Sequence, residues 1–276
     1  MIPKKIYQSW KTKNLPPKME ENVEKLKSMN PEYDYQLWDD SDCKIFLLEH
    51  FGENYANAFE VLKPGAFKCD FWRYAILYVY GGVYLDVDMV PLIPLREIIK
   101  DTDEFISIVD LKETYKCSIY QAFIATVPHH PIMSYSLQLS FANIVNRKYG
   151  IDETLNITGP VVVGIALNLY FKNKYTHQEI FSGSYDNDKV KLFDFKKPYI
   201  YDLHDKQVFN IKFDGYNAGN NDYRKMADYY YDDPHRGKKR YIYMLFITLI
   251  IFLFVALIFS VILLKKLRNC KKTCRY

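Results

Sequence analysis

Polar and apolar positions along the chain follow two periods in turn. Lys4 to Trp10 is a short apolar–polar stretch that suits a first strand. Pro16-Pro17 breaks it, and Lys18 to Met29 has the spacing of an amphipathic helix. Tyr35 to Trp38 predicts a second short strand. Ser41 or Asp42 can cap a helix that runs to His50. Ala66 to Tyr80 is apolar on most faces, the pattern of a helix buried on several sides, and Gly81-Gly82 ends it by allowing a positive-φ turn. Val83 to Val90 then reads as a buried strand with acids set into it. Phe105 to Val109 and Ala122 to Thr126 predict further strands. Pro131 to Asn146 and Pro160 to Phe171 predict helices, each opened by a proline in its first turn. Strands alternating with helices imply an α/β layered domain.

One segment departs from both periods. Tyr241 to Leu264 is 24 residues without charge, proline or glycine, bracketed by lysines and arginines. About 20 apolar residues cross a hydrocarbon core, so this segment is expected to be a single transmembrane helix. The chain then divides into a body, residues 1–235, and a basic-flanked anchor with a short tail, residues 236–276. No apolar leader precedes the body, so the expectation is a single-pass, C-terminally anchored membrane protein with its body facing the cytosol.

Charge sharpens that division. The chain has 37 basic and 33 acidic side chains, and ten of the basic ones but no acid lie in residues 236–276. The body is therefore mildly acidic, which argues against nucleic acid as a partner. Three body cysteines, Cys43, Cys69 and Cys117, make no disulfide framework. Cys270 and Cys274 lie beside the membrane segment, where S-acylation or two free thiols are both open readings. Asn156-Ile157-Thr158 is a sequon of the kind that also arises by chance.

The candidate chemistry lies at Asp86-Val87-Asp88. In a strand, two acids two residues apart share a face. At the end of a buried strand they repel, and a divalent cation with a taste for hard oxygen ligands, Mn²⁺ or Mg²⁺, resolves the conflict. Asp70 and Arg73 share a helix face. The glycine turn can bring that face to Asp86, where Arg73 suits a phosphate or sugar hydroxyl and Asp70 suits sugar hydroxyls. An ordinary intrahelical ion pair explains the same two residues.

The string from Ala66 to Asp88 resembles a longer block. Ala66, Lys68, Asp70, Arg73, Tyr74, Leu77, Tyr78, Gly81, Gly82, Tyr84, Asp86 and Asp88 match A-x-K-S-D-x-x-R-Y-x-x-L-Y-x-x-G-G-x-Y-x-D-x-D, with Cys69 in place of the serine. This is similar to the DxD-containing sugar transferases of glycosyltransferase family 32, typified by yeast α-1,6-mannosyltransferases and the mannosyl-inositol-phosphoceramide synthases. Ile2 to Thr12 resembles that family's opening I-P-K-x-I-H-Q-x-W-K, with Tyr7 for histidine. Tyr35 to Asp40, Pro128 to Pro131 and Thr158-Gly159-Pro160 resemble later landmarks.

The resemblance implies a GT-A fold, a Rossmann-like mixed sheet flanked by helices, and a retaining hexosyltransferase. It implies a nucleotide-sugar donor, GDP- or UDP-linked with mannose the commonest hexose, and a glycan, lipid or glycoprotein acceptor. Asp86 and Asp88 would meet the metal, donor ribose and diphosphate. Asp70 and Arg73 would contact the donor sugar and complete the catalytic set. Tyr7 and Gln8 would line the base pocket. The family's late H-x-x-x-S-W is missing; His204, or Asn217, Asn220 and Asn221, would have to stand in near the metal. Two alternatives remain open: a sugar-nucleotide or glycan binder that has lost catalysis, and a phosphatase, since Asp86 to Val90 fits D-x-D-x-[TV] with Asp86 as nucleophile.

Overall fold

A computed structural model describes residues 1–110, 116–148, 154–196 and 199–210. The chain divides into two units, Met1–Asp232 and Asp233–Tyr276. The expected span 241–264 falls in the second, outside the described residues; Asn217, Asn220 and Asn221 fall in the first and likewise lie outside the described residues. Among the described residues no helix is long and apolar enough to cross a membrane.

The N-terminal elements follow from local chemistry. β1 (Lys5–Ser9) is buried at its centre, and α1 (Pro17–Met29) begins on a proline whose missing N–H costs nothing there. Met19, Asn22, Val23 and Leu26 form the buried face of α1. β2 (Asp34–Trp38) pairs parallel to β1 in a register from Lys5↔Asp34 to Ser9↔Trp38. α2 (Asp40–Phe51) is capped at Asp39, not at Ser41 or Asp42. The Asp39 carboxylate accepts from the Ser41 and Asp42 backbones, and Asp42 returns a bond to the Asp39 N–H, a reciprocal box that begins the helix earlier than expected. After α3 (Glu53–Glu60), α4 (Gly65–Tyr80) runs 16 residues with Phe67 and the whole stretch Asp70–Leu77 buried. It stops at Gly81, where φ is +61° and an added Cβ would lie 2.6 Å from Pro128 Cδ, so both the backbone conformation and the contact require glycine.

β3 (Gly82–Leu85) lies between β1 and β6 in the sheet. The remaining elements are β4 (Val90–Pro91), α5 (Leu95–Ile98), β5 (Phe105–Ile108), β6 (Phe123–Thr126), α6 (Pro131–Val145), α7 (Thr154–Ile157), α8 (Pro160–Tyr170), β7 (Gly183–Tyr185), β8 (Val190–Lys196), β9 (Tyr199–Tyr201) and β10 (Gln207–Asn210). The strands form one mixed sheet in the order β2-β1-β3-β6-β5-β8-β9-β10-β4, with β7 on β8. β1 is parallel to β2 and β3; β6 is antiparallel to both β3 and β5; β5 is parallel to β8. The carboxyl ends of β2, β1, β3, β5 and β8 therefore share one edge of the sheet.

Alternate strand residues feed two cores. Tyr7, Tyr84, Phe105 and Ile124 join Phe71, Trp72, Leu137 and Val163 from α4, α6 and α8. Ile6, Val83, Leu85, Ile106 and Phe123 join Leu26 of α1, Leu95 of α5 and Phe209 of β10. Helices thus cover both faces of a mixed sheet, which is the α/β layering that the pattern predicts.

Candidate functional site

β3 is shorter than the sequence suggests, and that sets the geometry of the acids. Leu85 pairs with Phe123, the first residue of β6, and the ladder ends with the Asp86 N–H on the Ala122 carbonyl at 2.8 Å. The chain then turns, with the Met89 N–H donating to the Asp86 carbonyl at 3.0 Å. Asp86 and Asp88 are therefore brought together by a turn at the strand end, not by the two-residue repeat of a strand continuing to Val90. Two carboxylates inside a continuing buried strand would lose their hydration, whereas at the strand end both stay partly exposed.

Arg73 reaches this turn from α4. Its Nη2 donates to Asp86 Oδ1 at 3.1 Å, and the Tyr84 hydroxyl donates to the same oxygen at 2.7 Å. Nη1 donates to the Gln121 carbonyl at 2.7 Å, and the guanidinium lies 4.2 Å from the centre of the Tyr84 ring. Nη2 also lies 3.3 Å from Asp70 Oδ1 and 3.1 Å from Cys69 Sγ, which in turn accepts from Ser9 Oγ at 3.0 Å. Burial opposes the charge on Arg73, but the sulfur, the phenol and the two carboxylates around it raise its pKa well above the ordinary value.

Asp70 is the other end of the network. Gln121 Nε2 donates to Oδ1 at 2.5 Å and Thr158 Oγ1 to Oδ2 at 3.0 Å. The Tyr74 hydroxyl donates to the Thr158 carbonyl at 2.6 Å and lies against Gln121 Oε1. Burial pushes the Asp70 pKa up to about 7, while Arg73 and Thr158 pull it back. Asp70 and Arg73 are only 6% and 3% exposed, so the structure places them beneath the surface, engaged with interior partners. The Thr158 hydroxyl of the sequon is buried and committed to Asp70.

Tyr7 and Gln8 are also inside. The Tyr7 ring packs where an added Cβ on Gly82 would meet it at 3.1 Å, and burial raises its hydroxyl pKa. Gln8 donates from Nε2 to the Asp86 carbonyl at 3.2 Å and accepts from the Tyr35 hydroxyl at 2.9 Å. His204 lies exposed on the turn between β9 and β10, its N–H on Asp202 Oδ1. Among the described residues no three His, Cys, Asp or Glu side chains converge on a cation-holding group, so His204 does not join the acid pair. The hairpin turn holds it by its own Asp202 instead.

Asp86 and Asp88 fit a divalent cation by their chemistry. Burial and the neighbouring Asp86 charge push the Asp88 pKa up to about 6, a penalty on the charged form that a cation between the two would reverse. Two carboxylates are also what Mg²⁺ or Mn²⁺ asks of a protein when phosphates and water complete the shell. Of the network residues, Tyr84 stands in the matched block without a chemical role of its own, and Gln121 belongs to no motif. Gln121 has no local signal at all, because its carboxylate partner is 51 residues away.

Comparison with known proteins converges on the same segment. Residues 16–105 match the glycosyltransferase sugar-binding region containing the DXD motif. An uncharacterized glycosyltransferase of Acanthamoeba polyphaga mimivirus is 29% identical over 64% of this chain and 69% of its own length. The initiation-specific α-1,6-mannosyltransferase of Candida albicans is 31% identical over 37% of this chain and 28% of its own. The mannosyl phosphorylinositol ceramide synthase of Saccharomyces cerevisiae is 29% identical over 50% of this chain and 34% of its own. The chain thus spans about two thirds of the viral relative and about a third or less of these two fungal ones. The acid turn and the arginine behind it thus lie inside a segment similar to the DXD-containing sugar-binding region of glycosyltransferases.

Proposed function

We propose that the chain is a metal-dependent, retaining hexosyltransferase of GT-A type. It moves a hexose, mannose in the first place, from a GDP- or UDP-linked donor to a hydroxyl of a glycan, lipid or glycoprotein acceptor. One observation carries the reading: Arg73 and Tyr84 hold the same oxygen of Asp86 at the carboxyl end of β3, with Asp88 two residues on in a pinned turn.

Open α/β sheets bind ligands beyond the carboxyl ends of their strands. The donor nucleotide then lies over the ends of β1 and β2 and its diphosphate over Asp86. Asp86 and Asp88 would hold Mn²⁺ or Mg²⁺, which supplies Lewis-acid charge to the diphosphate. Arg73 stays charged beneath the leaving group, in an interior where a fixed cation acts strongly and needs no reorganisation. Asp70, Gln121 and Thr158 keep its guanidinium in one orientation. Asp70 and Arg73 therefore act through Asp86 in this reading, and sugar contact falls to groups nearer the surface.

Residues 241–264 would tether the body to a membrane, in keeping with a relative named for a ceramide-containing lipid. The phosphatase alternative is not favoured, since Asp86 and Asp88 lie inside the segment similar to a sugar-binding region.

The test offers the full-length chain, in detergent, a panel of GDP- and UDP-hexoses with Mn²⁺ and scores release of nucleoside diphosphate. Turnover of GDP-mannose is expected. Folded protein that binds donors yet turns over none would leave a sugar-nucleotide binder in place of the enzyme.

A further inference from the structure

Asn22 carries no motif. It sits on the buried face of α1, 5% exposed. Its side-chain amide donates to two carbonyls of the acid turn, Val87 O at 2.9 Å and Met89 O at 2.8 Å. These carbonyls flank Asp88 on either side. The carbonyl of Asp86 is held by Gln8 Nε2 and by the Met89 N–H. A turn that has left its ladder must find partners for its carbonyls. Here three of them are met by buried carboxamides or by the turn itself. The Asn22 amide is buried on α1 and ties both carbonyls to that helix. Its own Oδ1 has no partner among the described residues. An unpaired buried acceptor is costly, and the two donated bonds offset that cost.

We propose that Asn22 is a positioning residue for Asp88: it clamps the acid turn from α1 and so sets the affinity of the site for a divalent cation. The clamp stands on the geometry alone, and its consequence for the cation rests on the transferase reading. Groups that support metal ligands from behind are worth about 10- to 100-fold in metal affinity.

Asn22→Leu keeps the volume and removes both donors. Two measurements on the full-length chain in detergent test it. Hydrogen exchange of the backbone at residues 86–89, without metal, should speed up by about tenfold, because two of the turn's restraints are gone. Titration with Mn²⁺ alone, followed by the spectrum of the free ion, should give a dissociation constant raised about 10-fold or more. Val23→Ala is the control, since it loosens α1 packing next door without touching either carbonyl, and should leave both readouts within about twofold. If Asn22→Leu does not fold, Asn22→Ser, with one donor, should give a smaller change of the same sign. Wild-type exchange at 86–89 in a folded variant, or an equal change in Val23→Ala, overturns the clamp. Faster exchange with unchanged Mn²⁺ affinity overturns its role toward the cation. A wild-type chain that neither binds Mn²⁺ nor turns over a donor, yet shows the exchange change, overturns the transferase reading and leaves the clamp standing.

Discussion

Asp70 and Asp88 are both acids whose pKa burial raises, and they are placed in opposite ways. Asp70, on the buried face of α4, is met by Gln121, Thr158 and Arg73 and is almost wholly buried. Asp88, in the turn after β3, stays partly exposed, and the charge that acts on it most strongly is the like charge of Asp86. The first region is closed on itself and the second is left electrostatically unsatisfied. Closed polar networks fix geometry; an unsatisfied pair at a surface is where a cation and a charged ligand gain most. Asp86 belongs to both, since one oxygen faces Arg73 and its charge faces Asp88.

The sharpest way to separate the two regions is to remove charge from each. Asp88→Asn should cut donor turnover by on the order of 10³-fold while leaving the melting temperature unchanged or higher, because a penalised charge is removed. Loss of stability instead would mean that Asp88 belongs to the closed network. Arg73→Met should do the reverse in kind: it strands Asp70 in the interior and should cost about 3–5 kcal/mol in denaturant unfolding. A folded, active Arg73→Met variant would break the comparison.

His130 offers a test outside both regions, as a buried ionisable group with no opposite charge bonded to it among the described residues. Its Nδ1 accepts from the Ile132 N–H and burial lowers its pKa from 6.5 to about 4. Between those values the unfolded chain binds a proton that the folded chain refuses. Stability should therefore fall as pH drops from 6.5 toward 4, by at most about 3 kcal/mol, with no further loss from this residue below that. Urea unfolding of wild type and His130→Asn across this range measures it; an identical slope in both would remove His130 as the cause. The smallest effect is expected from Gln121→Leu, about 1–3 kcal/mol, because Arg73 still neutralises Asp70. Its turnover should fall with the KM for donor little changed, and an unchanged turnover would show that the network need not be complete to hold Asp86.

Much of this was legible in the residues. β1, β2, α1, α4, α6 and α8 lie within a residue or two of where period and proline place them. Each has a local cause. The misplaced features have distant ones. β3 stops at Leu85 because its partner β6 begins at Phe123, a fact about pairing that no window on Val83 to Val90 contains. β4 and β7–β10 are two to seven residues long and gain their identity from neighbours in the sheet, so their own pattern is too brief to read.

The sequence by itself determined the helix that carries Asp70 and Arg73, the glycine that ends it and the close spacing of Asp86 and Asp88, since these depend on neighbours within a few positions. Only the tertiary structure decided that Asp70 and Arg73 face inward, that Gln121 and Thr158 satisfy Asp70 from 51 and 88 residues away, and that Asn22 holds the acid turn. A hydrogen bond across such separations leaves no trace in local propensity. It exists because the sheet order brings the segment from Gln121 to Ala122 beside Asp86, and the layers bring α1 and α4 to the same strand end.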